Sequence, residues 1–242
     1  MPATVLSSAI DEIVKVTAET YLSESNNYFE ARQSNAWGRD KYFYDTLLDD
    51  VRERIRAGSL RGNVNHTWTL LDVGAGYGRD VVMFSQEPDI APIALEISDN
   101  FIKSLKGLLS SGQLGSHGRV IVADMRDLSQ IPDSSIQCVR IHATLHHLPV
   151  VGPGLGADSA VSEARRVLVR GGILDVLVKA GEGVGLLDTG EGLGNRFYQL
   201  FSEDLLRVLL TRHSFAVTRM EHSVEPRTSG SIDWLFSLAV AA

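Results

Sequence analysis

The chain has 242 residues, 44% hydrophobic and 22% charged, with a mean hydropathy near zero; this is the balance of an ordinary globular protein and excludes a disordered or low-complexity chain. A formal charge of -7 and an isoelectric point near 5.5 argue against a broad polyanion-binding face, because Lys and Arg at phosphates supply most nonspecific nucleic-acid affinity. With one cysteine, Cys138, no internal disulfide or multi-cysteine metal site can form, and neither a membrane-length apolar run nor a basic-then-apolar leader is present, so a cytoplasmic protein without a membrane partner is expected.

Residues 5–22 place Val5, Ile10, Ile13, Val14, Val16 and Tyr21 mostly at helical spacing. Residues 42–55 repeat the pattern with Phe43, Leu47, Leu48, Val51 and Ile55. We therefore expect residues 1–65 to be a helical segment. After the polar break at 61–65, short apolar runs alternate with helical stretches over residues 66–242, which is the pattern of repeated β-α units. Strands are expected at 69–73, 92–96, 119–123, 137–142, 173–178, 216–222 and 234–240. Ser202, followed by Glu203 and Asp204, opens a helix before the sixth strand. The link from His222 to Trp234 carries no helical pattern, so the last two strands should form an antiparallel hairpin. The expected fold is a three-layer α/β sandwich around a mostly parallel sheet. Residues 181–194, glycine-rich and acidic, are expected to be a mobile loop.

The strongest chemical signal is Leu70-Leu71-Asp72-Val73-Gly74-Ala75-Gly76-Tyr77-Gly78-Arg79-Asp80, a strand running into a glycine turn and a helix. Gly74, Gly76 and Gly78, with Ala75, let backbone approach a ligand closely. Arg79 stands where a dinucleotide site wants glycine, and no Lys-Ser/Thr follows as in a P-loop. Asp72 and Asp80 would repel phosphate but suit a ligand with an ammonium and a sulfonium group, as in S-adenosylmethionine (SAM). Glu96 ends the second strand, where an acidic side chain can accept from ribose hydroxyls. Asp124 and Met125 end the third, where a carboxylate can meet an adenine amino group and a thioether can pack on the ring. An alternative role for Asp124, compatible with the first, is the N-cap of a following helix.

These segments resemble class I SAM-dependent methyltransferases over residues 68–242. The likeness rests on the glycine turn at 71–78, Glu96-Ile97-Ser98, Asp124-Met125, Leu145-His146-His147-Leu148 and Arg166-Val167-Leu168-Val169-Arg170-Gly171-Gly172. It implies a Rossmann-like seven-stranded sheet with the last strand antiparallel, SAM as cofactor, and cofactor contacts that include Ile97. Arg170 departs from the family, which usually has proline there.

His142, His146 and His147 fall at and beyond the fourth strand, on the rim where an acceptor would meet the methyl group. His146 is the candidate base, with loop fixing as the alternative role; direct displacement needs alignment before it needs a base. The cluster lacks metal-ligand spacing, and no metal is expected. In the N-terminal segment, Arg32 could bind a methionine carboxylate with Tyr28 near the methyl group, the segment acting as a cap; covering a sheet edge is the competing role. Arg52, Arg54, Arg56 and Arg61 read as a solvated helix face. The favoured acceptor is a small-molecule oxygen, nitrogen or carbon nucleophile. Residues 28–32 through Trp37, His146-His147 and 196–201 are also similar to segments of tRNA wobble-uridine carboxymethyl methyltransferases, which makes tRNA the alternative acceptor. A noncatalytic partner protein with the SAM fold is the alternative from another class.

Overall fold

The computed structural model describes residues 3–33, 38–63, 67–187, 196–227 and 230–242, with residues 3, 23–33, 38–40, 187 and 227 described by their backbone alone. Helices α1 (Ala3–Gln33) and α2 (Gly38–Arg56) lead into β1 (Trp68–Val73), α3 (Arg79–Phe84), β2 (Ile90–Glu96), α4 (Asp99–Ser110), β3 (Arg119–Val122) and β4 (Ile136–His142). A 3-10 turn at Leu145–His147 follows, then α5 (Ala157–Val167), β5 (Leu168–Lys179), β6 (Val184–Leu187), β7 (Arg196–Gln199), α6 (Glu203–Arg212), β8 (Phe215–Arg227) and β9 (Gly230–Ala241).

Seven strands form one sheet in the order β3-β2-β1-β4-β5-β9-β8. Strands β1 to β5 pair in parallel, and β9 runs antiparallel between β5 and β8. The expected seven strands and closing hairpin are all present, and the hairpin strands extend beyond 216–222 and 234–240. Side chains alternate across the sheet as strand geometry requires. Leu71, Val139 and Leu174 pack with α5 and α6 on one face, while Leu70, Cys138 and Ile173 pack with Phe43, Leu47 and Val51 of α2 on the other. Within the N-terminal segment, α2 is thus a layer of the sandwich, and α1 packs against α4, β7 and the 3-10 turn.

The stretch expected as a loop at 181–194 is in part a strand. Val184–Leu187 pairs antiparallel with Arg196–Gln199 in a separate two-stranded sheet; the rest of that stretch, from 188, lies outside the described residues. Four residues containing a glycine are too short to show a period. The partner strand β7 is buried at all four positions. At α6 the expected cap is in place, with Ser202 Oγ accepting from the Leu205 N–H.

Candidate active site

The carboxyl ends of β1 to β4 open on a cleft, the position at which α/β sheets of this kind hold ligands. Gly74 and Gly76 line it with left-handed backbone, φ 73° and 57°. A β-carbon on Gly74 would lie 2.4 Å from Thr144 Oγ1, so glycine lets the turn after β1 touch the loop after β4. One on Gly76 would meet nothing within 4 Å: this backbone looks onto open space in the cleft. Ala75 and Gly78 are not part of the wall. Ala75 packs with Val81, Ala94 and Leu105, and Gly78 lies against Leu105 and Leu108 of α4.

Glu96 and Asp124 both border the cleft, with Ile97 and Met125 beside them. Glu96 is buried, and its carboxylate accepts from the Gly76 N–H (2.8 Å), the Ile97 N–H (2.8 Å) and the Ser98 N–H (2.9 Å). Burial pushes this carboxyl up, against the pull of the three N–H donors. It therefore ties the glycine turn to the end of β2 while bordering the ligand space. Asp124 accepts from the Arg126 N–H (2.9 Å) and pairs with its guanidinium (2.7 Å), closing a turn; no helix begins there, so the N-cap role is not realised. Arg126 also reaches Asp11 of α1 at 2.9 Å.

Asp72 and Asp80 lie behind the cleft wall instead of on it. The register sets Asp72 on β1, Arg140 on β4 and Asp175 on β5 side by side across three strands. Arg140 donates to Asp72 at 3.0 Å, contacts Asp80 at 2.8 Å and donates to His142 Nδ1 at 2.7 Å. Its Nε lies 3.6 Å from Asp175. Because a guanidinium only donates, His142 Nδ1 is the acceptor, and Nε2–H donates to Asp175 at 2.7 Å. His142 is thus a neutral wall of the cleft with both nitrogens engaged. Burial raises Asp72. It works in the same sense on Asp80, but Arg140 and Arg79 outweigh it and hold that carboxyl well below the usual range. Three carboxyls, Asp72, Asp80 and Asp175, thus share the Arg140 guanidinium beneath the glycine turn, with Arg79 on Asp80.

The two adjacent histidines divide differently from expectation. His146 is 2% exposed and does not line the cleft: its Nδ1 accepts from the Lys179 N–H at 3.2 Å and its ring packs on Tyr198 and Trp234. His147 lines the cleft. In a 3-10 turn neighbouring side chains leave about 120° apart, so only one of the pair can look outward. Opposite it, Val14, Thr17, Ala18 and Tyr21 form a helical stripe of α1 that closes the cleft. Thr17 Oγ1 and Ser98 Oγ are buried and have no hydrogen-bond partner among the described residues; both residues line the cleft, and such hydroxyls call for a ligand or water. Sequence reasoning assigned a site role to neither Thr17 nor Tyr21, although the 14-17-18-21 spacing was there to be read. The side chains of Tyr28 and Arg32, also expected at the site, lie outside the described residues. Among the described residues no group of His, Cys, Asp and Glu is placed to hold a metal.

A parallel sheet closed by an antiparallel strand, with a glycine turn and successive acidic strand ends around one cleft, defines a Rossmann-like nucleoside-binding enzyme. Residues 71–176 match the family model described as a methyltransferase domain. Over those residues the fold and the site agree with a SAM-dependent methyltransferase domain. No curated protein matches it in sequence. Among solved structures, the chain is similar to the Burkholderia thailandensis 1,6-didemethyltoxoflavin-N1-methyltransferase with bound 1,6-didemethyltoxoflavin and S-adenosylhomocysteine (17% identity, 96% of this chain and 90% of that one, TM-score 0.67). It is also similar to a SAM-dependent methyltransferase from Methanosarcina mazei (20%, 73% and 93%, 0.60). A third neighbour is the [4+2]-cyclase SpnF (18%, 81% and 80%, 0.58); at these identities the likeness concerns the fold.

Proposed function

We propose that the protein transfers the methyl group of SAM to an oxygen, nitrogen or carbon nucleophile of a small-molecule acceptor. The observation that carries this reading is the enclosure of the cleft by the α1 stripe, which leaves a largely apolar chamber with a few polar groups in place of an open basic surface. The Burkholderia neighbour, solved with a small heterocycle, supports it. The residues present fit the cofactor: open space at Gly76, the unsatisfied hydroxyl of Ser98 and carboxyl groups at two strand ends.

SAM supplies a sulfonium methyl, an electrophilic carbon. For the chain's part, Glu96 would hold the ribose, Asp124 and Met125 the adenine, and the field of the Asp72, Asp80 and Asp175 cluster the ammonium group. Arg32 is proposed for the methionine carboxylate, with Tyr28 near the methyl group. Residues 1–65 are proposed to act as the cap, through α1, on a cofactor-binding unit at 66–242. Closure by α1 would exclude water and align the acceptor. A cytoplasmic setting is part of the proposal; no helix among the described residues is long and apolar enough to cross a membrane.

We expect SAM and S-adenosylhomocysteine to raise the melting temperature by mass action, and NADH and ATP to leave it unchanged. Methyl-labelled SAM should then be incubated with the protein and, separately, small-molecule and tRNA fractions of the host extract. Label in the small-molecule fraction is the expected result. Label in tRNA would replace this reading with the tRNA one, which the net charge of -7 disfavours. Cofactor binding without transfer to either would leave a noncatalytic partner protein.

A further inference from the structure

Three elements distant in sequence meet at one side of the cleft: α1 with Tyr21, the 3-10 turn with His147, and β7 with Arg196. Arg196 Nη1 donates to Tyr21 Oη at 2.9 Å. Tyr21 Oη and His147 Nε2 are 3.0 Å apart. His147 Nδ1 lies 2.9 Å from the Phe197 carbonyl oxygen. A carbonyl only accepts, so Nδ1 carries the proton; in the neutral ring Nε2 is then the acceptor and the Tyr21 O–H the donor. The direction of the chain is thereby set, and it ends on a basic nitrogen. Tyr21 and His147 both line the cleft.

We propose that Tyr21 and His147 form the proton-accepting pair of the enzyme, and that its acceptor is therefore a protic one, an O–H or N–H nucleophile that must shed its proton as it is methylated. The inference rests on the methyltransferase reading and narrows it. As the new bond to carbon forms, the sulfonium carbon–sulfur bond breaks and its electron pair stays on sulfur. The acceptor's proton passes to Tyr21 Oη while the Tyr21 proton moves to His147 Nε2. The products are methylated acceptor, thioether and imidazolium. The Arg196 guanidinium steadies negative charge on the Tyr21 oxygen during the handover, and the Phe197 carbonyl steadies the imidazolium.

The charged and titratable groups facing His147 among the described residues are Tyr21 from α1, Arg196 and Tyr198 from β7, and His146 in its own turn, with Lys179 of β5 at 4.3 Å from the Tyr198 ring.

The first test needs neither cofactor nor acceptor. Imidazole ¹⁵N NMR of the free protein should show His147 as the Nδ1–H tautomer, with the Nε2 resonance moving in Tyr21→Phe. An Nε2–H tautomer would overturn the proposal. The second uses the acceptor fraction captured with labelled SAM. Tyr21→Phe should slow transfer at least tenfold and His147→Gln by about a hundredfold, and the limb of the pH–rate profile that belongs to the base should vanish in His147→Gln. S-adenosylhomocysteine affinity should stay within about twofold of the parent in both, which also reports that the variants are folded. Parent-like rates in both variants would sink the relay while leaving the methyltransferase reading intact. Loss of S-adenosylhomocysteine binding by the parent would sink that reading, with the tautomer still decided by NMR.

Discussion

Arg140 shows how much of the site one residue can organise. Replacing it by Met would leave Asp72, Asp80 and Asp175 buried around an uncompensated charge, and we expect a loss of about 3–5 kcal/mol in urea denaturation. A loss under about 1 kcal/mol would mean that water already reaches the cluster. Glu96→Gln sets an amide nitrogen against one of three backbone N–H donors. It should cost about 1–3 kcal/mol of stability and weaken S-adenosylhomocysteine binding in calorimetry; weakened binding at unchanged stability would reduce Glu96 to a ligand contact. The glycine turn, Glu96 and Asp124 were legible in the sequence because each closes or follows a strand. The partner of Asp72 was not, since Arg140 lies 68 positions downstream and becomes a neighbour only once β4 is known to flank β1. Nor could spacing tell which of His146 and His147 looks outward, because no periodicity resolves two adjacent residues in a single turn.

At the level of elements, the strands and the closing hairpin were legible because buried parallel strands are near-continuous apolar runs. The start of α6 was legible from its cap. Ser202→Ala removes the acceptor for the Leu205 N–H and should cost about 0.5–2 kcal/mol, seen as a lower denaturation midpoint at an unchanged slope; no shift would show that solvent replaces the hydroxyl. Helix α1 was legible as a helix but not as a wall of the site. Its cleft stripe includes an alanine and a threonine, and the Arg126–Asp11 pair that fastens it is a long-range contact. The β6–β7 sheet was hidden for a related reason: its pairing partner lies beyond a glycine-rich stretch that reads locally as loop.

The whole molecule should weaken in acid for reasons that can be assigned. Arg52 holds Asp89 low, and Arg166 holds Glu163 low. Burial works upward on Asp158, but the Gly154 N–H, Arg212 and His213 more than offset it. A carboxyl depressed in the fold contributes stability that is complete above its unfolded value, roughly 3.9 for Asp and 4.3 for Glu, and is lost as pH falls through the folded value. Burial raises Asp72 and Glu96, so their protonation opposes the loss. The melting temperature should therefore drop below about pH 4, and Asp89→Asn should decline less steeply than the parent when scanned by calorimetry. Equal slopes would mean that the Arg52 pair carries none of the acid response.

The place of β9 in the sheet has a consequence for the chain as it is being made. Strand β5 ends at Lys179, yet the strand that covers its edge begins at Gly230. At translation speeds of about 5–20 residues per second, roughly 3–10 s pass during which a ribosome carries a nascent chain with that apolar edge bare. The interval is long beside the microsecond collapse of the earlier segments. A hydrophobic strand waiting that long is a substrate for chaperones, and stalling within it should leave an aggregation-prone fragment in which the β-α units made first have nothing to complete them.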